Sequence, residues 1–156
     1  MQPISVLIAD DQHLFAESLK FVLQNDSDGR IDVVGIAENG KEAVAQAERL
    51  KPDVILMDIR MPGMDGIQTS RHIKNHQNLS KIPAIVLVTA YGREEIMRQA
   101  DEIGLDGFLL KPVNSSVLFD AIMQALGKEA QVVSQVGRQK EQGAEELDAI
   151  AGARVL

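Results

Sequence analysis

Four short apolar runs of the chain stop at residues able to do chemistry. ISVLIA (Ile4–Ala9) is followed by Asp10 and Asp11, and DVILM (Asp53–Met57) by Asp58. AIVLV (Ala84–Val88) is followed by Thr89, and GFLL (Gly107–Leu110) by Lys111 and Pro112. A carboxylate can attack a phosphoryl group and form an acyl phosphate. Such a transfer asks the protein mainly to position the reactants and to neutralise charge on the phosphoryl oxygens, work suited to a hydroxyl and an ammonium. One strand-end Asp is an ordinary helix cap. Three carboxylates, a threonine and a lysine, each behind an apolar run, are better explained by a shared site.

The elements that must position them follow from the hydrophobic pattern. The runs above, with IDVVGIA (Ile31–Ala37), are short and nearly continuous, as strands buried on both faces of a parallel sheet require. Between them lie stripes of helical spacing: Phe15, Leu19, Val22 and Leu23, then Ala43, Val44, Ala47 and Leu50. Ile96, Ala100 and Ile103 form another, and Val117, Leu118, Ala121, Ile122 and Ala125 the last. Gly66–His76 is predicted helical with a thin apolar face, Ile67 and Ile73. Asn39-Gly40, Lys51-Pro52 and Gly104 punctuate the pattern. Strands alternating with helices predict an α/β, doubly wound domain with right-handed crossovers, over residues 1–127. Residues 128–156, rich in Gln, Glu, Ala and Gly, read as a linker or tail with one helical stretch, Arg138–Ala151.

In an open parallel sheet the carboxyl ends of the strands line one edge, where ligands bind. Carboxylates gathered there repel: at ~4 Å and an effective dielectric near 20, each pair costs about 4 kcal/mol. Lys111 supplies one compensating charge, and a divalent cation is the natural second. Oxygen ligands without His or Cys point to Mg²⁺. Composition narrows the field further. The 156 residues include no cysteine, which excludes a disulfide framework, a thiolate nucleophile and Cys-held metal. Sixteen Lys+Arg against 23 Asp+Glu give a net charge of −7, contrary to a global footprint for nucleic acid or an anionic membrane. No apolar stretch approaches a membrane span and no signal peptide is evident, so the expectation is a cytoplasmic location without membrane contact.

The motifs VLIADD, LMDIRMPGMDG, VTA and LLKP, over Ser5 to about Gly127, make the chain resemble the receiver domain of a two-component response regulator. The resemblance implies a flavodoxin-like sheet of order 2-1-3-4-5 with five helices. It implies Asp58 as phosphoacceptor and Asp10 and Asp11 as the acidic pocket. Mg²⁺ would touch Asp11, Asp58 and the Arg60 carbonyl directly, and Asp10 through water. Thr89 matches the switch hydroxyl, Lys111 the phosphate-binding lysine and Phe108 the switch aromatic; a cis peptide is expected before Pro112. The implied partner is a sensor histidine kinase or histidine phosphotransfer domain, with homodimerisation through the face of helix 4, strand 5 and helix 5. Residues up to Gly66 resemble receivers of helix-turn-helix DNA-binding regulators. Those after it are more similar to receivers of hybrid histidine kinases, and Gly152–Leu156 echo the start of a further receiver. An excised piece of a hybrid kinase, or a chimera joined near Asp58–Gly66, is the corresponding expectation.

Arg60 and Tyr91, two residues beyond Asp58 and Thr89, are read as cleft-rim residues controlling water access to the acyl phosphate. His72 and His76 have zinc-compatible spacing but no intervening Glu and no third ligand, so a solvated pair is the better reading. His13 is placed at the start of the first helix. Asn25, Asn78 and Asn114 begin glycosylation triplets that, without a secretory signal, are chance. Competing functions are a degenerate receiver that docks without phosphorylation, and an aspartate-nucleophile phosphatase. The latter needs an acid two residues after the nucleophile, where Arg60 stands.

Overall fold

The computed structural model describes residues 2–90 and 92–127; Tyr91 and the tail, 128–156, lie outside the described residues. The chain divides into two units between Leu126 and Gly127. Strands β1 (Ile4–Ala9), β2 (Ile31–Ala37), β3 (Val54–Met57), β4 (Ala84–Thr89) and β5 (Gly107–Leu110) form one parallel sheet, in the order β2-β1-β3-β4-β5. Helices α1 (His13–Asp26), α2 (Gly40–Leu50), α3 (Gly66–Lys74) and α4 (Glu94–Ile103) alternate with them. A fifth helix, α5, spans 115–127. This is the flavodoxin-like arrangement the sequence implied.

The central strands are apolar without interruption because both faces are covered. Alternate residues enter two cores. Leu7, Ile55, Met57, Ile85 and Leu87 pack with Ala43, Ala47 and Ile73 of α2 and α3. Val6, Ile8, Leu56, Val86 and Val88 pack with Leu19 and Leu23 of α1 and Leu118 and Ile122 of α5. The predicted thin face of α3 is completed by small residues, since Gly66, Thr69 and Ser70 are buried beside Ile67 and Ile73. That smallness allows close contact. A Cβ added at Gly40 would meet Thr69 Oγ1 at 2.3 Å.

Register brings the strand ends together. Ala9 pairs with Ala37 on one side and Met57 on the other, so Asp10 and Asp58 emerge as neighbours. The Asp58 N–H donates to the Ala9 carbonyl at 2.9 Å, and the Lys111 N–H to the Thr89 carbonyl at 2.8 Å. The opposite edge is closed by polar staples. Asp53 Oδ2 accepts from the backbone N–H and hydroxyl of Ser5, and Lys81 pairs with Asp53 Oδ1. Lys74 reaches Asp106 Oδ2 at 2.8 Å, which also accepts the Ile85 N–H.

Three local expectations change. Thr89 closes β4 rather than following it, and Asp53 stands outside β3 because its carboxylate serves Ser5 and Lys81. Helix α3 ends at Lys74, so His76 lies beyond the helix that carries His72. Its ring instead meets Glu48 at 2.5 Å and accepts the Asn78 N–H. Asn114 is a helix cap, its Oδ1 accepting the Val117 N–H at 2.9 Å.

Candidate functional site

Asp10 and Asp58 are 2% and 6% exposed, and Asp11 is open to solvent. Oxygen atoms of the three carboxylates lie within 4.8 Å of one another, forming the one such metal-ligating group among the described residues. Their hydrogen bonds divide the labour. Asp10 Oδ1 accepts the Gln12 N–H at 2.8 Å, and its Oδ2 accepts from Lys111 Nζ at 3.0 Å. Both Asp10 oxygens are thereby engaged. Asp58 Oδ1 accepts the Ile59 N–H at 2.9 Å, while its Oδ2 stands 3.6 Å from Lys111 Nζ.

Burial, followed by the nearby Asp10 charge, pushes the Asp58 carboxyl up to about 6; Lys111 and the Ile59 N–H pull the other way. The acid is held at the lip of ionisation by its neighbours. An all-oxygen donor set of this charge suits a hard divalent cation, for which Asp11 and Asp58 retain free lone pairs.

The turn behind Asp58 is unusually close to it. The Gly66 N–H donates to the Ile59 carbonyl at 2.7 Å, and a Cβ at Gly66 would stand 2.0 Å from the Asp58 carbonyl oxygen. Gly63 turns the loop at φ +76°. Asp65 then starts α3 with a reciprocal capping box: its side chain accepts the Gln68 N–H while Gln68 accepts its own.

Thr89 is fully buried at the end of β4. Alternation puts it on the α2–α4 side of the sheet with Leu87, and Phe108, paired with Leu87, packs half-buried against that core. Arg60 is exposed, and the Lys111–Pro112 bond is cis. Asp10, Asp11, Asp58 and Lys111 are therefore brought together, with Thr89 closing the adjacent strand; the role expected of Tyr91 lies outside the described residues. Sequence reasoning missed two contacts. Gln12 Oε1 accepts from Lys111 Nζ at 3.1 Å, and the Phe15 ring lies under the same ammonium, 4.1 Å from nitrogen to centroid. The available signal is that Gln12 follows the acid pair directly, as the N-cap of α1, and that Phe15 lies in the first turn of that helix, whereas periodicity alone places Phe15 in the core stripe.

Residues 6–123 match the family model described as the response regulator receiver domain. The chain is 36% identical over 121 residues to the transcriptional regulatory protein YdfI of Bacillus subtilis, covering 78% of this chain and 54% of that one. It is 35% identical over 128 residues to the response regulator protein VraR of Staphylococcus saprophyticus, covering 82% and 59%. The chain thus spans somewhat more than half the length of these curated relatives. In structure it is similar to the signal receiver domain of the putative response regulator NarL from Mycobacterium tuberculosis. That likeness has a TM-score of 0.73 at 31% identity over 81% of this chain and 98% of that one.

Proposed function

The chain belongs to the response regulator receiver domain family, and from that premise we propose that it accepts a phosphoryl group from a phosphohistidine donor onto Asp58. The ionised carboxylate attacks phosphorus in line, the phosphorus–nitrogen bond breaks, and the imidazole leaves with the bonding pair. With its pKa near 6, Asp58 is mostly ionised at neutral pH and available as the nucleophile. Lys111, already 3.6 Å from Asp58 Oδ2, takes a phosphoryl oxygen, and the Thr89 hydroxyl takes another. Asp11, Asp58 and the Arg60 carbonyl would hold Mg²⁺ directly and Asp10 would reach it through water. When bound, that ion supplies charge neutralisation to the phosphoryl oxygens.

The new dianionic charge draws Thr89 and Lys111 inward, and Phe108 on the same face of the sheet follows, changing the surface of α4, β5 and α5. Exposed Met97, Leu110, Val117 and Met123 on those elements support pairing of two copies through that face. The donor is a sensor histidine kinase or histidine phosphotransfer domain, for which Leu14, 85% exposed in the first turn of α1, offers an apolar landing point beside the pocket. Arg60 and Tyr91 set the lifetime of the acyl phosphate, and the location is cytoplasmic; no described helix is long and apolar enough to cross a membrane. Arg60 in place of a second acid argues against a phosphatase.

The observation that carries this reading is the buried Asp58 carboxylate, flanked by two acids and one ammonium. The test is intact mass after incubation with a small-molecule phosphodonor and Mg²⁺. One phosphoryl group gained by the wild type and none by Asp58→Asn is expected. An unchanged wild-type mass would leave the docking-module reading in its place.

A further inference from the structure

The Lys111 side chain, 13% exposed, has a neighbour outside the usual inventory of charges. Its ammonium hydrogen-bonds Asp10 Oδ2 and Gln12 Oε1, and stands too far from Asp58 Oδ2, at 3.6 Å, for a hydrogen bond. Beneath it lies the ring of Phe15, 4.1 Å from nitrogen to ring centre, well inside the range of cation–π attraction. We infer that Phe15 is a positioning residue, its ring face forming the platform on which Lys111 moves from its resting partners to the phosphoryl group on Asp58. The inference rests on the receiver reading of the site.

Physical chemistry favours a ring in this place. An ammonium on a flexible four-carbon stem has three donors and much rotamer freedom to lose. Hydrogen bonds to Asp10 and Gln12 are directional, so reaching a new oxygen means surrendering one of them. Attraction to a ring face is not tied to a single line, and it strengthens as water is excluded. The lysine can therefore give up Gln12 while keeping Phe15. The ring also adds no acceptor that would compete with the phosphoryl oxygens for the ammonium. Its place is secure: Phe15 sits in the first turn of α1, half-buried against the core formed with α5. A leucine there would keep an apolar side chain against that core but remove the ring face beneath Lys111.

The test uses the full chain as wild type, Phe15→Leu and Phe15→Tyr, and the leucine change repeated in a Lys111→Ala background. Without divalent ion, the Lys111 ε-methylene protons of the wild type should resonate upfield of an ordinary lysine, from the ring current. The shift should vanish in Phe15→Leu and return in Phe15→Tyr. With acetyl phosphate and Mg²⁺, Phe15→Leu should slow phosphorylation about 5- to 10-fold, and Phe15→Tyr should stay within about twofold of wild type. In the Lys111→Ala background the leucine change should add nothing. An unshifted Lys111 in the wild type, or a leucine variant as fast as wild type, would overturn the inference. So would a slowing that persists without Lys111, since that marks a packing role. A wild type that gains no phosphoryl group overturns the receiver reading itself, whatever the proton shifts show.

Discussion

At the scale of the residue, two buried polar groups carry opposite lessons. Asp58 has its carboxyl raised from 3.8 to about 6 by burial and by Asp10, so between those values the folded protein binds more protons than the unfolded chain. Its contribution to stability is therefore fully present below 3.8 and is lost as pH rises through about 6. In the ion-free protein, Asp58→Asn should raise stability at pH 7 by about 1–3 kcal/mol and at pH 4 by much less. Urea midpoints in the presence of a chelator decide it, and a variant weaker than wild type at pH 7 would contradict it. Ser70, fully buried in α3, is the one buried side chain among the described residues whose polar atom lacks a hydrogen-bond partner. Ser70→Ala should stabilise by about 1 kcal/mol, since no bond is lost and a desolvated hydroxyl is removed. A lowered urea midpoint would mean that the hydroxyl has a use.

At the scale of the element, the loop from β3 to α3 approaches Asp58 closely. Gly66 is needed there for space rather than for a special backbone angle, because any Cβ would meet the Asp58 carbonyl oxygen at 2.0 Å. The oxygen belongs to the backbone and the Cβ position is fixed by it, so neither atom can rotate away. Although alanine is the better helix former, Gly66→Ala should cost about 3 kcal/mol or more and should displace Asp58. A thermal scan alongside the mass assay would register both; an unimpaired alanine variant would show that the loop can yield. The motif that ends in Gly66 was legible as sequence. The reason its glycine is required was not, since it depends on the distance between a helix start and a strand end.

At the scale of the whole molecule, the site exists because five parallel strands finish along one edge and the opposite edge is fastened. Lys74 with Asp106 ties α3 to the residue that precedes β5, and Asp53 with Ser5 and Lys81 ties β1 to the segment before β4. Among the described residues, both cores and every group of the pocket lie before Gly127. A fragment ending at 127 should therefore melt within a few degrees of the full chain and gain the same single phosphoryl group. Loss of either property in the fragment would assign the tail a part in folding or catalysis.

Apolar runs, their polar terminators and the helical stripes between them determined the α/β class, the strand order through family resemblance, and the acids and lysine of the pocket. These are properties of composition and spacing, which a linear chain displays openly. Tertiary structure alone decided which oxygens of Asp10 are engaged, why Asp58 resists ionisation, and that Phe15 and Gln12 attend Lys111. It also moved His76 off the helix of His72 and made Asn114 a cap. Those facts depend on side-chain direction and on desolvation by residues distant in sequence, and neither is set until the sheet has brought its strand ends together.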